Sequence, residues 1–549
     1  MNFLRSTILP LLAVGIFYSC SSDSADPTPE PDTVAPTLDF TISGASSDSS
    51  PIVVGDQMEI NISAEDAKGI DKVEAFIDNE KVGEDTSAPF RIIVDLSVYT
   101  AKALTKKAQN YTLRVDAIDT SGNTSSLEQT ITIVTEKTLV TINIPETYIN
   151  PNLIEFYLFA STMEGQLLGV KKVEPTDSSI TISTLEDISE NEPFMLTFAK
   201  LTPYGAQFST IASITSALLP QINLGSYALF ENYSGTNTFQ ASGYEDAEDD
   251  IIQIFGNRYL GAWTPSNPEI ITIDRFNCID CNNSSTDSLY LVKRNLSTND
   301  YKYLTTTWDI NEDDIISFAD FTDKGVEKRE IQINNFSNTG STNFNYRVFG
   351  YFDQSDFENN FYHRIDTGIS SIMSENKIHY FYNQIFENYA FELSLGNYYT
   401  YQTDLPQSTL SPLDWTLDYS LDGSTISIQK NSTDDILGKI TLGTTIIDED
   451  YIPYSWELIF NSQEITTIQI PELPEAIKSW EFYEAFSTSP LQVGQVEIKK
   501  YENIVGYDDY IREVIANNQK AYLISDKIES IFIATESDYH ISTDDWLID

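Results

Sequence analysis

The sequence predicts a mainly β protein: tandem β-sandwich domains followed by a small α/β C-terminal segment. Three observations carry that expectation. Aromatic residues make up 12% of the chain, with 31 Tyr and 29 Phe, and they sit in Tyr-, Phe-, Ile- and Thr-rich runs that favour strands. Apolar and polar residues alternate in run after run, the period of a half-buried strand. At 549 residues the chain is too long for one core, so about three or four domains are expected.

Residues 1–19 read as a signal peptide. The apolar run Ile8-Leu9-Pro10-Leu11-Leu12-Ala13-Val14-Gly15-Ile16-Phe17 is too short for a permanent membrane span and suits a secretory leader. Ser19 then places a small residue before Cys20. This resembles a bacterial lipoprotein signal, which implies that Cys20 is lipidated and becomes the first residue of the mature chain. An ordinary cleaved signal is the rival reading. Residues 20–36 follow as an acidic, Pro-rich tether, with Pro27, Pro29 and Pro31 at alternate positions. Asp23 and Asp26 soon after the cysteine resemble the export signal of Bacteroidota-type surface lipoproteins. The implied location is the outer membrane, lipid-anchored and facing outward.

Residues 37–135 form the best-defined module. Alternation appears in Met58–Ile62, Val73–Ile77, Tyr111–Ala117 and Thr130–Val134, with polar turns at Asp78-Asn79-Glu80 and Ser121-Gly122-Asn123. About a hundred residues with this strand spacing predict a β-sandwich. The wording Gly69-Ile70-Asp71-Lys72-Val73-Glu74-Ala75-Phe76-Ile77-Asp78, followed by Tyr111-Thr112-Leu113-Arg114-Val115-Asp116-Ala117, resembles the bacterial Ig-like domains of modular surface proteins. That resemblance implies a spacer or binding module rather than an activity.

The rest stays β-rich and shows signs of a duplication, 136–328 and 329–480. Thr141-Ile142-Asn143-Ile144 leads to Phe156-Tyr157-Leu158-Phe159, as Ile331-Gln332-Ile333-Asn334 leads to Phe344 through Phe349. Tyr303 to Trp308 and Tyr451 to Trp456 look like paired end markers. If the duplication holds, each copy is one sandwich. In 481–549, strands over Val493–Tyr501 and Ala521–Ile533 flank a short helix. It places Tyr507, Tyr510, Ile511, Val514 and Ile515 on one face.

A net charge of −51 argues against nucleic acid, whose phosphates need cations. It suits a solvated extracellular protein and is compatible with calcium. Two acidic runs are candidates for calcium. Asp309 through Asp320 has oxygen side chains at EF-hand-like positions, but Asp314 stands where the loop glycine belongs, so a hairpin tip is the preferred reading. Tyr244-Glu245-Asp246-Ala247-Glu248-Asp249-Asp250 reads as a solvated loop. Cys278 and Cys281 form a C-x-x-C with too few ligands for zinc and no helix start for a redox site, so a loop disulfide is expected, with no metal bound.

Aromatic density peaks between Phe344 and Tyr401, at both strand parities. One face can be core. Rings on the other, Tyr351 and Tyr399 among them, are candidates for stacking on a glycan or a surface protein; the rival is cross-strand packing. No catalytic, phosphate-binding or cofactor motif occurs, and His363, His379 and His540 are the only histidines. The reading is therefore a lipid-anchored surface protein that binds or scaffolds. A glycan-binding lipoprotein of a polysaccharide-uptake system and a glycoside hydrolase or lyase are the alternatives.

Overall fold

The computed structural model describes most of residues 32–534. Outside the description lie 1–31 and 535–549 and several internal segments, chiefly 44–51, 100–108, 226–231, 245–249, 263–268, 278–287, 308–314, 336–343, 371–375 and 444–452. By its contacts the chain falls into two compact units, Met1–Thr135 and Glu136–Asp549.

The described strands of the first unit are β1 (Thr37–Ser43), β2 (Ile52–Val54), β3 (Gln57–Glu65), β4 (Ile70–Ile77), β5 (Glu80–Asp85), β6 (Phe90–Asp95), β7 (Gln109–Asp119) and β8 (Thr124–Ile133). One sheet runs β1-β3-β6 and the other β2-β8-β7-β4-β5. The alternation in the sequence closes this sandwich. Met58, Ile60 and Ile62 of β3 share a core with Val73, Ala75 and Ile77 of β4 and with Leu113 and Val115 of β7. Each fully buried aliphatic side chain contributes roughly 1.5–3 kcal/mol.

The second unit repeats one strand plan. Its first sandwich holds β9 (Lys137–Asn143), β10 (Glu155–Thr162), β11 (Leu167–Lys172), β12 (Ser179–Thr184), β13 (Phe194–Thr202), β14 (Gly205–Ile214) and β15 (Gln221–Asn223). β9 pairs antiparallel with β12 and parallel with β15, while the facing sheet runs β11-β10-β13-β14. The second sandwich, β16 (Asn232–Ser242), β17 (Asp250–Gly256), β18 (Tyr259–Ala262), β19 (Ile270–Asn277), β20 (Ser288–Asn295), β21 (Tyr301–Thr307) and β22 (Ile315–Ser317), has the same pairings. So does the third: β23 (Val326–Ile333), β24 (Phe344–Tyr351), β25 (His363–Ser370), β26 (Lys377–Asn383), β27 (Asn388–Leu395), β28 (Tyr398–Thr403) and β29 (Thr409–Leu410).

The fourth comprises β30 (Leu417–Asp422), β31 (Thr425–Lys430), β32 (Leu437–Gly443), β33 (Tyr454–Asn461), β34 (Thr467–Gln469), β35 (Val493–Tyr501) and β36 (Lys527–Ala534). It differs at one edge: β30 pairs antiparallel with β31, where the others carry a parallel last strand. Its facing sheet keeps the order β33-β32-β35-β36.

By this strand plan the expected 136–328 region holds two sandwiches, β23 opens the third at Val326 close to the expected 329, and 480/481 falls between β34 and β35 of the fourth. The markers at Thr141 and Ile331 fall on equivalent first strands, β9 and β23. The supposed end markers do not correspond: Tyr303 lies on a sixth strand, β21, and Trp456 on a third, β33. The strands expected in a separate α/β segment are β35 and β36, which complete the fourth sandwich. The helix between them, Tyr507–Tyr510 continued by a π turn over Ile511–Ile515, buries the expected face of Tyr507, Tyr510, Ile511, Val514 and Ile515.

The sandwiches are joined edge to edge. β14 pairs in parallel with β33, from Ala206 opposite Tyr454 to Ile211 opposite Ile459. β28 pairs antiparallel with β36, from Tyr398 opposite Ile531 to Gln402 opposite Lys527. The last sandwich in the chain thus stands between the first and the third, and four strands from each form one continuous sheet. Among the described residues the second sandwich pairs with the third at one bridge, Gly256 opposite His363, and packs on it through a shared core that includes Tyr290 and Tyr301 and through a buried polar network.

Candidate functional site

The aromatic region resolves into core. Tyr351 is 1% exposed and Tyr399 0%, so neither ring is free to stack on a ligand, which corrects the expectation drawn for them. The cause is tertiary. On the continuous sheet, β24, β27 and β28 have a layer on each side. One face packs Tyr346, Phe391 and Leu393 against the sheet of β23. The other joins Tyr351, Tyr399 and Tyr401 to Tyr510 and Tyr522 of the β35–β36 connection. Tyr522 lies 5.8 Å from the Tyr401 ring and 5.8 Å from that of Phe357.

Cys20, Cys278, Cys281 and His540 lie outside the described residues, as do Asp309–Asp314 and Glu245–Asp249 of the two acidic runs. His363 is sealed in the joint between sandwiches 2 and 3. Tyr259 Oη and its Nδ1 share a hydrogen bond at 2.7 Å, and Phe352 packs edge-on at 4.7 Å. Burial pushes the imidazole pKa down to about 3, so it stays neutral. Next to it, Arg294 donates to Asp366, which also accepts from the Phe381 and Thr367 N–H groups at 2.8 and 2.9 Å. Burial pushes Asp366 up to about 6 against the pull of Arg294 and these donors. Tyr301 Oη donates to the Ile365 carbonyl at 2.7 Å, and Tyr290 and Tyr301 share a hydroxyl–hydroxyl bond at 2.9 Å. This arrangement is a buried interface network in which Arg294 Nε is left without a hydrogen-bond partner. His379 is exposed, 3.7 Å from Glu330.

In the first unit, carboxylate oxygens of Asp32, Asp66 and Asp119 come within 4.8 Å of one another, a donor set of the kind that holds a hard cation. Asp119 is already engaged: it accepts from the N–H groups of Ser121 and Asn123, each at 2.8 Å, and from Asn123 Nδ2 at 2.8 Å. Desolvation raises its pKa, but these hydrogen bonds outweigh it and hold the group below the usual carboxylate range. The cluster was missed in the sequence because its members are 34 and 53 positions apart (66 − 32 and 119 − 66).

A concave site lies on the seam of sandwiches 1 and 4. It is a cleft of about 260 Å³ bounded by Tyr204, Gln207, Thr441, Pro453 and Ser455, with Gly205, Gly443 and Gly494 among its lining. Tyr204 tips the β13–β14 hairpin and is 80% exposed. The hairpin closes on itself: Thr202 Oγ1 donates to the Gly205 carbonyl at 3.1 Å and accepts from Tyr204 N–H at 3.2 Å. Gly205 has φ +136°, and a Cβ there would meet the Pro453 carbonyl at 2.2 Å, so only glycine lets the tip sit against sandwich 4. Sequence reasoning missed this site. Its sole signal was the tip Thr202-Pro203-Tyr204-Gly205, an aromatic in a two-strand turn.

These features define a mainly β, multi-sandwich protein. A family model described as a bacterial Ig domain matches residues 36–115, the bulk of the first unit. No curated protein matches the chain. Among solved structures, fibronectin(III)-like modules of Clostridium thermocellum CbhA are 21% identical, with 15% of this chain and 79% of that chain covered, at a TM-score of 0.11. The Bacteroides ovatus mixed-linkage glucan locus protein SGBP-B, solved with a heptasaccharide, is 11% identical over 63% of this chain and 92% of its own, TM-score 0.13. The sialic acid binding region of a Streptococcus sanguinis SK1 adhesin is 12% identical over 52% and 78%, TM-score 0.15. Likenesses at these TM-scores say nothing of this chain's ligand.

Proposed function

We propose that this chain is a surface protein, lipid-anchored at Cys20 to the outer membrane, whose tether and Ig-like unit carry a rigid body that binds or scaffolds an extracellular partner. One observation supports the reading above the others. Three of the four sandwiches of the second unit are joined through β14–β33 and β28–β36 into one sheet, where independent domains would be strung on linkers. Such a body presents its surfaces at fixed spacing, which lowers the ordering cost of binding. The strongly acidic surface keeps it solvated and apart from its neighbours. Protease shaving of intact cells, followed by fractionation and globomycin treatment, tests the reading. Loss of the protein on shaving and accumulation of an unprocessed precursor are expected. Recovery in the soluble cytosolic fraction overturns it.

A further inference from the structure

We propose that the cleft between sandwiches 1 and 4 binds a neutral pyranose ring of a polysaccharide, stacked on Tyr204. The inference deepens the binding role above and rests on it. Four features of the site point to this ligand class. The Tyr204 ring is 80% exposed, whereas Tyr351, Tyr399 and Tyr401 of the same unit are buried in cores. A ring left in water at the mouth of a cleft offers a flat apolar face with a polar hydroxyl at its rim. The tip that carries it is fixed by its own Thr202 hydrogen bonds and by the close approach of Gly205 to Pro453, so little freedom is lost on binding.

The lining is the third feature. In a chain of net charge −51, the described lining of this cleft holds no Asp, Glu, Lys or Arg. Its polar side chains are the amide of Gln207 and the hydroxyls of Thr441, Ser455, Tyr204 and Tyr454, groups that donate and accept hydrogen bonds without charge. These described groups offer a charged ligand no opposite charge, and an anionic one would be repelled by the protein as a whole. A sugar ring has one apolar C–H face and a rim of hydroxyls, and it matches both parts of the lining. Fourth, the volume of about 260 Å³ suits one or two rings.

The test is isothermal titration calorimetry of the full chain with cello-, xylo-, laminari- and manno-hexaose, with polygalacturonate as the anionic arm. Binding of at least one neutral hexaose is expected. Tyr204→Ala should weaken it tenfold or more with an unchanged melting temperature, and Tyr204→Trp should retain it. Ser455→Ala, at the opposite wall, should weaken it by a smaller factor. If a neutral hexaose binds and Tyr204→Ala binds it equally, the site is elsewhere and the inference falls, while the binding role stands. Binding of polygalacturonate alone, or of no neutral sugar, overturns the ligand class. Shaving and fractionation then still decide surface display independently.

Discussion

Trp456 of sandwich 4 donates its indole N–H to Thr210 Oγ1 of sandwich 1 at 2.8 Å, across 246 positions of sequence. Thr210 in turn shares a hydroxyl–hydroxyl bond with Thr197 at 2.8 Å, and the Trp456 ring stacks on Phe208 at 4.8 Å. All four of these side chains are buried, so the seam between sandwiches is built like an interior.

Substitution there should therefore act on the whole second unit. Trp456→Phe removes the hydrogen bond but keeps a ring, and should cost about 1–2 kcal/mol. Trp456→Ala should cost about 3–5 kcal/mol. Denaturant unfolding followed by hydrogen exchange should show sandwiches 1 and 4 losing protection together. Protection lost in sandwich 4 alone would show that the seam does not couple them.

Sandwich 4 covers the edges of β14 and β28. A chain ending after Leu410 would leave both as open strands, and open edges pair with other chains. That truncation is expected to aggregate on expression, whereas residues 32–135 alone should be soluble and melt cooperatively. Light scattering and circular dichroism of the two fragments check this.

The joint between sandwiches 2 and 3 should respond to acid. His363 is held neutral in the fold, with its pKa pushed down to about 3 from 6.5. Its contribution is complete above 6.5 and is lost as pH falls from there towards 3, up to roughly 4–5 kcal/mol. Asp366 acts in the opposite sense. Its pKa is raised from 3.8 to about 6, so it favours the folded state at low pH and loses that contribution as pH rises through 6. Melting curves from pH 7 to pH 4 should fall less steeply for His363→Gln than for the natural chain. They should fall more steeply for Asp366→Asn.

Tyr351→Ala and Tyr399→Ala should each destabilise by about 3–5 kcal/mol, as truncations of buried rings do. Thermal unfolding measures the loss, and ligand affinity in the fraction still folded should not change. A melting temperature equal to that of the natural chain would contradict their burial.

Cys20→Ala should release the protein from membranes or leave it unprocessed, read by fractionation and lipid labelling. Cys278 and Cys281 should be joined in an oxidising compartment. Intact mass with and without reductant should differ by two hydrogens, and the short loop means that reduction should barely alter the melting temperature.

The sequence by itself determined the local structure. Period-two alternation set which residues of β3, β4 and β7 face the core, because successive side chains of a strand point to opposite faces. It also placed the five apolar residues of the 507–515 helix on one face and gave β9 and β23 as equivalent strands. Only the tertiary structure decided which edges meet. Edge pairing uses backbone groups that every residue carries, so nothing in the letters of β14 or β33 says that they pair 248 positions apart (454 − 206). That pairing then settled the fate of the aromatics. Tyr351 and Tyr399 look like surface rings on a sheet with one covered face, and they are core because this sheet is covered on both. Tyr204 looks like an ordinary turn residue, and it borders a cleft only because sandwich 4 is docked beside it.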